Sequence, residues 1–123
     1  MANEKIFIAA SDNTATRDIA SKLKTLGYTV LIAQSGQDAI ELYRKNQKNI
    51  QLVILDMIMP AMSGSETFER LKEINPDIKV ILSSGYSING QATEILERGC
   101  KGFIQKPFNV HELSLKIREA LDA

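Results

Sequence analysis

Asp56 directly follows the apolar run Leu52-Val53-Ile54-Leu55, and three other apolar runs also end in polar groups: Ser11-Asp12-Asn13, Ser83-Ser84, and Lys106 followed by Pro107. Carboxylates, hydroxyls and a lysine form a set suited to phosphoryl transfer onto a carboxylate. Catalysis there is largely positioning and neutralisation of charge on the transferring oxygens. In that chemistry Asp56 is the nucleophile, Lys106 offers a point charge to a phosphoryl oxygen and Ser84 a hydroxyl donor. A divalent ion held by oxygen ligands neutralises the remainder. Taken singly, each residue has a plainer reading: Asp12 or Asn13 as a helix cap, Ser84 as the start of a loop, Lys106 as a solvated cation, Pro107 as a strand breaker. Their joint placement favours the chemical reading, because ligands of an open parallel sheet bind outside the carboxyl ends of its strands.

That placement depends on the elements between them. Five short apolar runs alternate with segments of helical period, the pattern of an α/β domain. The runs are Ile6 to Ala10, Tyr28 to Ala33, Leu52 to Leu55, Val80 to Leu82 and Gly102 to Ile104. Between them, Ala15, Ile19, Leu23 and Leu26 line a first helix closed by Gly27, and Ala39, Ile40 and Tyr43 a second capped by Ser35 with Asp38. Ser63 and Glu66 cap a third carrying Phe68, Leu71 and Ile74, which Asn75-Pro76-Asp77 ends. Gln91 to Arg98 is a short fourth helix, and Asn109 with Glu112 caps a fifth that buries Val110, Leu113, Ile117 and Leu121. The expected fold is a doubly wound, five-stranded parallel sheet of flavodoxin-like order 2-1-3-4-5 with helices on both faces. It accounts for residues 1–123 as one domain.

Composition narrows the function. Fifteen basic residues balance fifteen acidic ones, so no net field favours nucleic acid or an anionic membrane, and proteins are the expected partners. The chain has one cysteine, Cys100, which excludes an internal disulfide or a cysteine-based zinc site and reads as a small buried hydrophobe. No signal-peptide pattern and no bilayer-length apolar run is present, so a cytoplasmic, membrane-free domain is expected. His111, the single histidine, reads as a solvated helix residue, and Met57, Met59 and Met62 as loop packing. A nucleotide-cofactor protein of similar fold is disfavoured by the lack of a G-x-G-x-x-G segment after the first strand.

The segments Leu52 to Pro60, Met62-Ser63-Gly64, Ser83-Ser84-Gly85-Tyr86 and Lys106-Pro107-Phe108 resemble the receiver domains of two-component response regulators, and the resemblance covers nearly the whole chain. It implies that Asp56 accepts a phosphoryl group from a histidine kinase or phosphotransfer protein, with Ser84 and Lys106 binding the phosphoryl oxygens. It also implies that Ser84 and Phe103 form a switch acting on a downstream protein or an attached effector domain. The domain would then be no enzyme beyond self-phosphorylation and autodephosphorylation. The Ser-Gly-Tyr-Ser run and the segment Gln91 to Gly99 are similar to receivers of hybrid sensor kinases, and a homodimer is compatible with all of this.

One departure concerns the metal. The family usually ends its first strand with two acids that organise Mg²⁺, and a gap-free match puts Ala10 and Ser11 there. A match shifted by one residue pairs Ser11-Asp12-Asn13 with the acidic positions instead, but needs a compensating insertion and deletion. The expected Mg²⁺ ligands are Asp12, Asp56 and the backbone carbonyl of Ile58, with Ser11 as a further candidate and binding weaker than in two-acid relatives. The alternative function is a degenerate receiver that keeps the fold as a phosphorylation-independent interaction module. Two places beyond the acceptor and beyond the hydroxyl residue, many relatives carry an amide or carboxylate that orients the attacking water. Here stand Ile58, which cannot do so, and Tyr86, whose ring is bulky enough to shield the phosphoryl group, so a bound phosphoryl group is expected to leave slowly.

Overall fold

A computed structural model of the chain describes residues 4–10, 14–57, 64–84, 90–105 and 108–122. Strands and helices alternate: β1 (Lys5–Ala9), α1 (Thr14–Thr25), β2 (Thr29–Ala33), α2 (Gly36–Asn46), β3 (Leu52–Asp56), α3 (Gly64–Ile74), β4 (Val80–Ser84), α4 (Gly90–Glu97), β5 (Gly102–Gln105) and α5 (Val110–Leu121). Every strand pairing is parallel, and the order across the sheet is β2-β1-β3-β4-β5, as expected from the sequence.

Strand alternation divides the core between two faces. Val53, Leu55, Val80 and Leu82 pack with Tyr43 of α2, Phe68 and Leu71 of α3 and Ile95 of α4. Leu52, Ile54, Ile81 and Ile104 pack instead with Leu23 of α1 and with Leu113 and Ile117 of α5. With helices on both faces, β3 and β4 are buried along their whole length, which is why Leu52 to Leu55 and Val80 to Leu82 are continuously apolar rather than alternating. Each such large side chain contributes roughly 1.5–3 kcal/mol by leaving water.

Two helix starts form as the sequence predicts. The Ser35 hydroxyl accepts from the Asp38 N–H at 3.1 Å, and the Asn109 side chain accepts from the Glu112 N–H at 2.8 Å. The expected cap at Ser63 lies outside the described residues. Asn75 closes the turn after α3 by accepting from the Asp77 N–H at 3.0 Å.

Several boundaries differ from the sequence reading. β3, β4 and β5 run past their apolar residues to Asp56, Ser84 and Gln105, because ladder hydrogen bonds come from the backbone and need no apolar side chain. Ala10 lies just beyond β1, with its N–H bonded to the Ala33 carbonyl at 3.0 Å. Leu26 does not join the buried face of α1: that helix ends at Thr25, Gly27 turns the chain at φ +103°, and Leu26 is left 45% exposed. Cys100 is half-buried rather than buried, with its Sγ 3.0 Å from the Val80 carbonyl oxygen and 3.3 Å from that of Gly102. Burial pushes its thiol up from the ordinary cysteine range, against backbone hydrogen bonds that pull it down. Among the described residues no helix is long and apolar enough to cross a membrane.

Candidate functional site

Asp56 ends β3 and is only 7% exposed. It sits between β1 and β4, so its carboxylate is held at the carboxyl edge of the sheet's centre by a strand paired on both sides. Asp56 is level with Ser83, and Ser83 in turn with Ile104; Ser84 is level with Gln105. The ladder continues one step past β3, where the Met57 N–H donates to the Ser83 carbonyl at 3.0 Å. Both serines are 3% exposed, and neither Asp56 nor Ser84 lacks an interaction partner.

Alternation assigns these residues to faces. Asp56 and Ser83 continue the rows of Leu52–Ile54 and Ile81, on the α1 and α5 side. Ser84 continues the row of Val80 and Leu82, on the side of α2, α3 and α4. Phe103 is level with Leu82 and packs against that same cluster while remaining half-buried. The sheet therefore carries Asp56 and Ser84 on adjacent strand ends, and Ser84 and Phe103 on one face one step apart. Lys106, Ser11, Asp12, Ile58 and Tyr86 lie outside the described residues.

From sequence alone, Gly64 has no role of its own beyond its place in the Met62-Ser63-Gly64 segment. Its N–H donates to the Met57 carbonyl at 3.1 Å, which brings the start of α3 against the residue that follows Asp56. A glycine directly ahead of a helical pattern is the one signal that pointed there.

Among the described residues no three His, Cys, Asp or Glu side chains come together as a metal cluster. Ala10 is 6% exposed within the apolar packing of the α1 and α5 side, so the end of β1 contributes no carboxylate at that position. Asp56 is a hard oxygen donor of the kind Mg²⁺ takes, and the other expected donors are the undescribed Ser11, Asp12 and Ile58. The described part of the site thus fits a magnesium ion in donor type, through one carboxylate.

Comparison with known proteins agrees with this architecture. Residues 6–118 match the family described as response regulator receiver domain. Among curated proteins, the sensor kinase CckA of Brucella abortus (strain 2308) is 34% identical over 81% of this chain, but only 11% of CckA is covered. A cyclic di-GMP phosphodiesterase of Thermotoga maritima is 31% identical over 94% of this chain and 30% of its own length. The chain spans less than half the length of such relatives. A solved receiver domain protein of Clostridium thermocellum superimposes with a TM-score of 0.91 at 28% identity, covering 97% of this chain and 94% of that one. The CheX–CheY complex of Borrelia burgdorferi with BeF₃ and Mg²⁺ shares the fold, with a TM-score of 0.88 at 22% identity over 94% of this chain and 87% of that one. With a family match across residues 6–118 and a parallel sheet in the order β2-β1-β3-β4-β5, this chain belongs to the response regulator receiver domains.

Proposed function

We propose that this receiver domain takes a phosphoryl group from a histidine kinase or phosphotransfer protein onto Asp56, and that the resulting charge resets a protein-interaction surface. The observation that carries this reading is the buried carboxylate of Asp56, which ends a central strand in register with Ser83, one residue before Ser84. An Asp56 carboxylate oxygen attacks phosphorus in line, the new O–P bond forms as the bond to the donor breaks, and the leaving group departs with that electron pair. Ser84 donates its hydroxyl, and Lys106 its ammonium, to the phosphoryl oxygens. Asp56, Asp12 and the Ile58 carbonyl, with Ser11 as a further candidate, would hold a Mg²⁺ ion, which when bound would supply further neutralisation of charge.

Phosphorylation adds about −1.5 to −2 charge at Asp56. Ser84 is drawn toward it, and Phe103, on the same face, moves into the space released. The switched surface then engages a downstream protein or an effector domain of the same polypeptide, in the cytoplasm. The catalytic activity named for the Thermotoga relative belongs to that protein, of which this chain covers 30%. The apolar surroundings of Ala10 favour one second reading, a degenerate receiver that works without phosphate.

One experiment separates them. Incubation with Mg²⁺ and a small phosphodonor should add one phosphate by intact mass to the wild type and none to Asp56→Asn, and should alter amide exchange around Phe103. Equal phosphate on the variant would remove Asp56 as acceptor. A wild type that gains none, yet still binds a partner, would establish the degenerate reading.

A further inference from the structure

Asn75, directly after α3, is oriented by two hydrogen bonds. Its Oδ1 accepts from the Asp77 N–H at 3.0 Å, which turns its Nδ2 toward Tyr43 of α2, and the Tyr43 hydroxyl oxygen accepts from that Nδ2 at 3.0 Å. The phenol oxygen is thereby engaged, but its O–H is still a donor. Among the described residues nothing accepts from it. Tyr43 is 1% exposed, so bulk solvent does not reach it freely either. Burial pushes the phenol up from its ordinary range, against the Asn75 hydrogen bond that pulls it down, so the proton stays in place at neutral pH. A buried donor left without an acceptor is destabilising, and native interiors rarely contain one.

Tyr43 and Asn75 both line a cavity of about 100 Å³ at the edge where β3 and β4 begin, opposite the edge that carries Asp56. Gln51, Asp77 and Lys79 line it as well. Donors dominate these polar side chains. The Oε1 of Gln51 is taken by the Lys5 N–H at 2.6 Å, which leaves the amide N–H groups of Gln51 over. Lys79 commits one N–H to the Leu121 carbonyl at 2.8 Å and keeps the others. Against them stands the carboxylate of Asp77, an exposed residue. We propose that this cavity binds a small carboxylate, whose oxygens accept from the Tyr43 hydroxyl and from the remaining N–H groups of Gln51 and Lys79. The volume admits a ligand of about acetate size, whereas sites for larger molecules start at about 300 Å³. The site lies at the far end of β3 from Asp56 and makes no use of phosphoryl chemistry.

Titration of the isotope-labelled protein with sodium acetate, against sodium chloride at the same ionic strength, reads the site through amide chemical shifts. The amides of Tyr43, Gln51, Asn75 and Lys79 should move together and saturate with acetate, while chloride leaves them in place. Tyr43→Phe removes the hydroxyl alone, and Gln51→Glu sets a like charge on an exposed residue of the lining. Each should weaken acetate binding roughly tenfold. Should Tyr43→Phe not fold, Gln51→Glu decides. Shifts that never saturate, that chloride reproduces, or that keep the wild-type affinity in a folded variant overturn the proposal. Magnetisation transfer from water to the Tyr43 hydroxyl, with no response to acetate, also overturns it, by making the cavity a hydration site.

Discussion

Ala10 stands one step beyond the registered pair Ala9 and Leu55, level with the position of Asp56, and is packed among Ile6, Ile8 and Ala20 on the α1 and α5 side. A carboxylate placed there sits in apolar surroundings beside a second carboxylate, so without a cation both desolvation and like-charge repulsion oppose it. Ala10→Asp should therefore cost roughly 1–3 kcal/mol of stability in the presence of a chelator. The same pair of carboxylates is the donor set a divalent ion prefers, and binding to the folded state alone stabilises by mass action. Thermal unfolding with and without Mg²⁺ checks this: the ion should raise the melting temperature of Ala10→Asp by more than that of the wild type. An equal rise in both would mean that the end of β1 is no part of a metal site. The sequence exposed this position only through comparison with a family pattern, because an alanine closing an apolar run carries no chemical signal of its own.

At the scale of elements, α3 and α4 are tied by charge as well as by packing. Arg98, directly after α4, pairs with Glu69 of α3 and with Glu94 of α4, the latter at 2.6 Å. Lys72 of α3 lies beside them with its Nζ 5.8 Å from the centre of the Phe68 ring. α3 begins at the acceptor segment and α4 leads into β5 with Phe103, so this tie links the two ends of the proposed switch. The paired side chains are 41% and 50% exposed, and solvent screening limits such pairs to about 0.2–1 kcal/mol. A double-mutant cycle of Glu69→Gln and Arg98→Gln, read by urea unfolding, should give a coupling in that range that shrinks with added salt. A coupling that ignores salt would show that packing, and not charge, joins the helices. The elements themselves were largely legible: β3 and β4 from unbroken apolar runs, α2 and α5 from caps that form as expected. What the sequence did not reveal was that the polar groups at Asp56, Ser83 and Ser84 lie inside the strands. Hydropathy marks where apolar side chains stop, whereas a ladder ends where backbone pairing does. The approach of Gly64 to Met57 was hidden for a related reason, since it is a distance between backbones with no trace in side-chain periodicity.

Across the described residues, a set of side-chain contacts fastens the edge of the sheet opposite Asp56. At the edge where the strands begin, Lys79 donates through its Nζ to the Leu121 carbonyl at 2.8 Å, closing the last turn of α5. Arg118 joins the same helix to Glu4, ahead of β1, at 2.8 Å, and its hydrogen bonds to Glu4 and Tyr28 hold its guanidinium well above the ordinary arginine range. Lys79 satisfies one of the carbonyls that a helix end leaves unpaired and places a cation at the negative end of its dipole, an effect of about 0.3–1 kcal/mol. It precedes β4, whereas Ser83 and Ser84 close that strand at the acceptor edge, with Val80, Ile81 and Leu82 fully buried between them. Lys79→Met keeps an unbranched side chain, shorter by one atom, and removes its charge and donor. The variant should lose stability by the amount of that cap and exchange amides faster in the last turn of α5, while phosphorylation of Asp56 proceeds at the wild-type rate. Urea unfolding, amide exchange and intact-mass kinetics on one preparation measure all three. A changed phosphorylation rate with unchanged stability would show that the two edges communicate through β4, and would reverse the assignment of Lys79 to a purely local cap.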